Sequence, residues 1–384
     1  MSDERAGDKD SRRQSHRKTP FLHSSRAQGR GEFDFIERIR RQELKRLDGR
    51  DASSLIPHPS SLIRGIGDDA AIIRQRAGLD TIITTDLLVE GIDFRLEPGW
   101  TNARDLGHKA LAVSLSDVAA MGAHARFCLL SVGVPRRHWR SGFLEEFYRG
   151  VRALARRHDV VIIGGDTSRT PEHVVIDSIV IGETRHGRAV MRSGARAGDQ
   201  IFVTGTLGGA AAGLKILEGR TVENSHSVLS SNKNLSRAER GLVRRQLRPV
   251  PRAEWGALLG EKALATALID LSDGLSSDLA HVCRESRVGA RIEAALLPFE
   301  PHLKSVVSDE DEALALALDG GEDFELLFTV SPRTASSLPR EVGSVPATRI
   351  GEVTAERGRV RLVREGRARL LRPGGFEHFA WSRG

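Results

Sequence analysis

Aspartates stand inside the most apolar stretches of this chain, and a core built from those stretches can close in few ways. Asp86 follows the strand-like run Thr81-Ile82-Ile83-Thr84-Thr85 and is read as the end of that strand. Asp166 follows Val160-Val161-Ile162-Ile163 and the pair Gly164-Gly165, and is read as ending a second strand. Asp270 ends a third and leads into Leu271-Ser272-Asp273-Gly274. Asp117 lies between Leu115 and Val118 in a long helical run, 103–121, and Asp68-Asp69 follow Gly65-Ile66-Gly67. Any one of these could cap a turn or a helix. Together they point to a crevice, because buried carboxylates are costly unless something positive gathers them. Donors that are all oxygen favour Mg²⁺ over zinc. Cys128 and Cys283 are the only cysteines and the histidines do not cluster, so neither a zinc site nor a disulfide framework is expected.

Strand and helix patterns alternate through both halves of the 384 residues, which gives an α/β class and, at this length, two domains. The spacing predicts strands at 72–73, 81–86, 127–134, 160–163, 174–181, 201–204, 267–271, 290–294, 324–330 and a final pair near 348–364. Helices are expected at 103–121 with Gly122 as a left-handed cap, near 141–157, from Gly209 through Leu217, and from about Ser276. The Ser/Asn-rich stretch 219–236 reads as a surface loop. Residues 1–30 are polar and read as a disordered tail, 31–186 as an N-terminal α/β domain, and 187–384 as a C-terminal α/β domain.

The formal charge is +7. The tail holds eight Lys/Arg against four acids, so it accounts for +4 of that excess. The rest carries no aromatic-studded basic stripe, which argues against a nucleic-acid binder. No run is apolar enough to span a membrane. The opening Met1-Ser2-Asp3-Glu4 shows no apolar leader, and a reducing cytoplasm is expected. Gly164-Gly165 and Gly205-Thr206-Leu207-Gly208-Gly209 could let backbone N–H groups approach an anion. Phosphate-binding G-x-x-x-x-G-K-[ST], dinucleotide-binding G-x-G-x-x-G, protein-kinase H-R-D and D-F-G, and hydrolase G-x-S-x-G motifs are all missing.

A set of segments, in order, resembles the thiamine-monophosphate kinase family. They are Gly31-Glu32-Phe33, Gly67-Asp68-Asp69-Ala70-Ala71, Thr84-Thr85-Asp86, and Lys109-Ala110-Leu111-Ala112-Val113-Ser114-Leu115-Ser116-Asp117. Gly164-Gly165-Asp166-Thr167, Arg192-Ser193-Gly194-Ala195, Ile269-Asp270-Leu271-Ser272-Asp273-Gly274-Leu275 and Gly320-Gly321-Glu322-Asp323 continue the set. The resemblance implies the two-domain aminoimidazole ribonucleotide synthetase-like architecture. It implies ATP-dependent phosphorylation of thiamine monophosphate to thiamine diphosphate with release of ADP. A homodimer with nucleotide sites near the subunit interface, and several Mg²⁺ ions, come with it. Another synthetase of the same superfamily acting on a different acceptor is the alternative.

Position by position, the resemblance implies metal ligation by Asp69, Thr84, Thr85, Asp86, Asp117, Asp166, Asp270 and Asp273. Tyr148, Gly165, Asp166, Arg192 and Ser272 match nucleotide contacts, and Glu322 and Phe376 match substrate contacts. Asp86, Asp166 and Arg192 are the expected catalytic group. One position departs from the pattern. The family usually reads E-G-V-H-F where this chain has Glu90-Gly91-Ile92-Asp93-Phe94. An ionised Asp93 cannot donate a hydrogen bond to the substrate phosphate. It would act through a further Mg²⁺, or another residue would substitute.

Overall fold

The computed structural model describes residues 38–39, 41–42, 62–64, 72–73, 75–224 and 235–376. The expected tail, 1–30, lies outside them, as does Asp69. Two sheets organise the chain. The first contains β3 (Leu79–Val89), β4 (His124–Val134), β5 (Val161–Arg169) and β6 (Val175–Arg185), in the order β3-β6-β4-β5. Only the β4–β5 pair is parallel. A two-stranded ribbon, β1 (Leu62–Arg64) and β2 (Ile72–Ile73), precedes it.

The second sheet is built from β7 (Gln200–Thr204), β8 (Ala265–Asp270), β9 (Gly289–Glu293), β10 (Leu326–Val330), β12 (Val345–Thr354), β13 (Val360–Arg364) and β14 (Arg367–Leu371). Its order is β14-β13-β9-β12-β7-β10-β8, with β11 (Glu341–Val342) paired to β12.

One helix joins the two halves. It is α1 (Ala103–Ala120), whose residues from Leu106 to Ser116 are all buried. A helix apolar on every side belongs in a core. It starts where the Asn102 side chain accepts the Asp105 N–H at 2.9 Å, and it ends at Met121 with Gly122 at φ +66°. One side lies on the first sheet and on α2 (Phe143–Arg157). Gly107 and Gly150 bring α1 and α2 into backbone contact: a Cβ would come 2.0 Å from the Phe147 carbonyl oxygen at Gly107, and 1.9 Å from that of Arg104 at Gly150. The C-terminal end of α1 meets α5 (Ala253–Glu261), where a Cβ on Gly256 would come 2.2 Å from the Ala119 carbonyl oxygen. Cys128 and Cys283 form no disulfide and are buried in the two cores.

Several sequence expectations need correcting. Asp86 does not end its strand, because β3 continues to Val89. Asp166 does not end β5, which continues to Arg169. The segment read as a loop from 219 is helical to Asn224 in α3 (Gly209–Asn224). Helices α4 (Arg237–Leu247), α5 and α7 (Glu310–Asp319), and strand β14, were not read from the sequence; α6 (Leu275–Ser286) was. α4 opens on a capping box formed by Ser236, the last residue of the stretch read as loop, and Glu239.

Candidate active site

A cleft of about 550 Å³ opens where the two halves meet. The first half supplies Asp86 and Leu88 from β3, the segment from Ile92 to Thr101, and Lys109 and Val113 from α1. The second supplies Leu214 and Glu218 from α3, Gln246 from α4, Ser272 and Asp273 after β8, Gly320 to Glu322, Phe324 and Phe376.

Beside the cleft, one turn of α1 gathers three carboxylates. Ser114 Oγ donates to Asp86 Oδ2 at 2.6 Å, and Ser116 Oγ donates to Asp270 Oδ2 at 2.7 Å. The third carboxylate, Asp117, accepts the hydroxyl of Thr84. Burial raises all three, and repulsion between carboxylates adds to it at Asp86 and Asp270. Asp86 is pushed from 3.8 to about 6 by desolvation and by Asp117. Asp117 is raised by desolvation, against the Thr84 hydrogen bond and the positive charge of Arg192. Asp270 is raised by desolvation and then by Asp117. Groups that crowd each other in this way are poised for a cation, and a donor set of carboxylates and hydroxyls suits a hard one.

Asp273, Asp278 and His281 form a neighbouring group whose ligand atoms lie within 4.8 Å of one another. Asp278 is pushed to about 8 by desolvation and then by Asp270 and Asp273, although it accepts the N–H groups of Asp273 and Gly274.

Across the cleft, Glu322 sits in a left-handed conformation at φ +57°, between Gly321 at +63° and Asp323. Its N–H donates to the Ser272 carbonyl at 2.7 Å, and the Phe324 N–H donates to that of Leu271 at 2.9 Å. A non-glycine residue held there stores roughly 1–3 kcal/mol, which two such latches can offset. Lys109 Nζ lies 2.7 Å from Glu322 Oε1, and the Gln246 amide donates to Oε2. Glu322 is thereby tied to both halves of the chain.

Residues 67–184 match the AIR synthase related protein N-terminal domain, and residues 196–363 match the AIR synthase related protein C-terminal domain. Thiamine-monophosphate kinase of Escherichia coli is 41% identical over 318 residues, covering 82% of this chain and 92% of that protein. The chain belongs to the thiamine-monophosphate kinase family. The crystal structure of thiamine-monophosphate kinase from Stenotrophomonas maltophilia is 35% identical, with a TM-score of 0.73, over 88% of this chain and 98% of that one. The structure of AaThiL complexed with AMPPCP and TMP is 30% identical, with a TM-score of 0.67, over 93% of this chain and all of that one.

The site residues expected from the sequence resemblance fall into separate groups. Asp86, Asp93, Ser272, Asp273, Glu322 and Phe376 line the cleft. Thr84, Asp86, Asp117 and Asp270 form the carboxylate cluster, and Arg192 is exposed with its charge acting on Asp117 and Asp270. Thr85 points to the opposite face of β3, as alternation requires, and donates to Asp177 Oδ1 at 2.5 Å. Asp166 and Gly165 lie on β5, three strand spacings or roughly 14 Å from β3. Asp166 stands opposite Ser131, and Ser131 opposite Asp177, along one row of the sheet. Tyr148 is buried in the N-terminal core against Phe147, which raises its phenol above the usual value. These residues do not reach the cleft within one chain.

Two glycine segments read as possible anion cradles have identifiable roles in the fold. The N–H groups of Gly208 and Ala210 donate to the Asp323 carboxylate at 2.6 and 3.1 Å, so the start of α3 already holds an internal anion. At Gly165 a Cβ would come 2.1 Å from the Leu130 carbonyl oxygen, so close approach of β4 requires glycine there. Asp93 lines the cleft, yet its Oδ2 accepts the Val89 N–H at 2.8 Å and closes a turn. Sequence reasoning missed Ser114, Ser116, Lys109 and Gln246 as site residues. The first three lay inside a quoted motif, where the polar side chains of an otherwise apolar helix were the available signal.

Proposed function

We propose that the protein transfers the γ-phosphoryl group of ATP to the phosphate of thiamine monophosphate, giving thiamine diphosphate and ADP. The cleft between the halves carries this reading, because it brings Asp86, Ser272, Asp273, Glu322 and Phe376 together beside the carboxylate cluster. An oxygen of the acceptor phosphate forms the new bond to the γ-phosphorus while the bond to the β,γ-bridging oxygen breaks. The acceptor is already anionic, so no side chain is required as a base. The chain positions two anions and disperses their charge, which is what phosphoryl transfer demands.

Mg²⁺, when bound, supplies the positive charge that lets two phosphates meet. Thr84, Asp86, Asp117 and Asp270 are the proposed ligands beside the cleft, with Asp273 from the adjoining turn and Asp69 from outside the described residues. Ser114 and Ser116 orient the carboxylates. Arg192 and Ser272 are assigned to the nucleotide phosphates, where a guanidinium can bind bidentately. Glu322 and the exposed face of Phe376 are assigned to the cationic thiazolium.

The assignments Thr85, Gly165 and Asp166 fit a homodimer in which the N-terminal sheets of two copies face each other. The outer face of β3 supports it: Ile83 and Leu87 are 68% and 60% exposed on a strand whose other face is packed. Residues 31–186 would then carry the metal and nucleotide site and the dimer contact, and 187–384 the second domain. Among the described residues no helix is long and apolar enough to cross a membrane. A cytoplasmic location is part of the same proposal. Coupled ADP release with thiamine monophosphate, compared with thiamine and with no acceptor, tests the reading; release that is indifferent to thiamine monophosphate defeats it.

A further inference from the structure

The cleft is acidic for a site that must hold a phosphorylated acceptor. Its described lining presents Asp86, Asp93, Glu218, Asp273 and Glu322 against two cations, Arg95 and Lys109. Lys109 is already neutralised by Glu322 at 2.7 Å and is 4% exposed. Arg95 has no carboxylate partner among the described residues. Its guanidinium lies over the Trp100 ring, with Cζ 4.6 Å from the ring centroid.

The segment carrying both residues is closed on itself. The Thr101 N–H donates to the Arg95 carbonyl at 3.3 Å, and the Trp100 N–H to that of Glu97 at 3.1 Å. Phe94 anchors the start of the segment in the N-terminal core, and Asp93 fixes the preceding turn through the Val89 N–H. Arg95 therefore extends from a fixed base. A guanidinium held against an indole face keeps its N–H groups free for a planar or tetrahedral oxyanion.

We infer that Arg95 binds the phosphate of the acceptor and makes the site prefer a phosphorylated acceptor to the free alcohol. This rests on the kinase reading of the same cleft. It assigns to Arg95 and its Trp100 platform the phosphate contact that Asp93, turned into its own loop, does not make.

Arg95→Met, Arg95→Lys and Trp100→Leu enzymes test it by steady-state kinetics, with calorimetric binding of thiamine monophosphate and of thiamine. In Arg95→Met the KM for thiamine monophosphate rises about tenfold or more while kcat stays within about threefold, the pattern of lost uniform binding. The KM for ATP and the affinity for thiamine are unchanged, so the preference for the monophosphate collapses. Arg95→Lys recovers part of the loss because the charge remains without the planar fork. Trp100→Leu shows the same loss in smaller measure. An unaltered KM for thiamine monophosphate in Arg95→Met overturns the inference, as does an equal loss of affinity for thiamine and its monophosphate. Wild-type enzyme that neither binds nor phosphorylates thiamine monophosphate overturns the kinase reading itself.

Discussion

Ser116, on the long helix of the N-terminal half, donates its hydroxyl to Asp270 at the end of a strand of the other half, 2.7 Å away. Two residues earlier on the same helix Ser114 holds Asp86, and the residue after Ser116 is Asp117 itself. The relative placement of three carboxylates from two domains is thus set by one helical turn. The Ser116 hydrogen bond also opposes the desolvation that raises Asp270.

Ser116→Ala removes that opposition. The carboxylate becomes harder to ionise, and a hydrogen bond to a charged group is worth roughly 1.5–3 kcal/mol. The Mg²⁺ concentration for half-maximal activity is expected to rise by about tenfold or more, the equivalent of about 1.4 kcal/mol. A titration of activity against Mg²⁺ checks it; an unshifted curve removes Asp270 from the ligand set.

Asp86→Asn is expected to abolish turnover and to raise the melting temperature of the metal-free protein. The carboxylate is desolvated and repelled by Asp117 and Asp177, so its neutral isostere relieves strain that a proton or a bound cation would otherwise relieve. Calorimetry without Mg²⁺, beside a turnover assay with it, separates the two effects. Retained turnover removes Asp86 from the catalytic group.

The sequence made the acidic residues legible because a carboxylate in an apolar run is conspicuous, and Asp117 and Asp270 stand where expected. It also showed α1, whose long helical run and terminal glycine are local signals. What it did not show was which face each residue takes. Thr84 and Thr85 read as one motif, yet the two-residue period of a strand sends them to opposite sides of the sheet. The strand ends were misplaced because the registers of β3 and β5 continue across polar residues that tertiary pairing, rather than propensity, keeps extended. The glycines at 205–209 looked like an anion cradle, because the sequence does not reveal that Asp323, more than a hundred positions later, already fills it.

The pH dependence of stability follows from the same cluster. Asp86 titrates at about 6 in the folded chain and at 3.8 when unfolded. The native state therefore binds more protons between those values. Its contribution is fully present below about pH 4 and is lost as pH rises through about 6, a loss of the order of 3 kcal/mol. Asp117 and Asp270 act in the same direction. Metal-free protein is expected to melt lower at about pH 8 than at about pH 5, with Mg²⁺ closing the gap because binding requires the deprotonated carboxylates. Melting curves at both pH values, with and without Mg²⁺, read it; no recovery on adding Mg²⁺ contradicts the proposed site.

Gly150→Ala probes the scaffold beneath the cleft. A methyl there would meet the Arg104 carbonyl oxygen at 1.9 Å, backbone against backbone, so α1 and α2 must separate. Overpacking of this kind costs roughly 1–3 kcal/mol or more. Because α1 carries Ser114, Ser116 and Asp117, the shift is expected to raise the Mg²⁺ requirement as well as lower the melting temperature. Gly241 on α4 has no atom within 4 Å of an added Cβ, and Gly241→Ala serves as the control that leaves the Mg²⁺ requirement unchanged and, through helix propensity, slightly raises the melting temperature.

Asp93 distinguishes a ligand from a loop cap. Its Oδ2 accepts the Val89 N–H, and its own N–H donates to the Val89 carbonyl at 3.0 Å, which fixes the turn leading to Arg95. Asn keeps an acceptor oxygen in the same place but gives up the charge. Asp93→Asn is therefore expected to leave the Mg²⁺ dependence and the melting temperature close to wild type. Asp93→Ala loses the cap, at a cost of about 1 kcal/mol, and loosens the turn. Its effect on kinetics should be a raised KM for thiamine monophosphate with an unchanged Mg²⁺ curve. If instead Asp93→Asn alone multiplies the Mg²⁺ requirement, the carboxylate binds a metal in the working enzyme and must leave Val89 to do so.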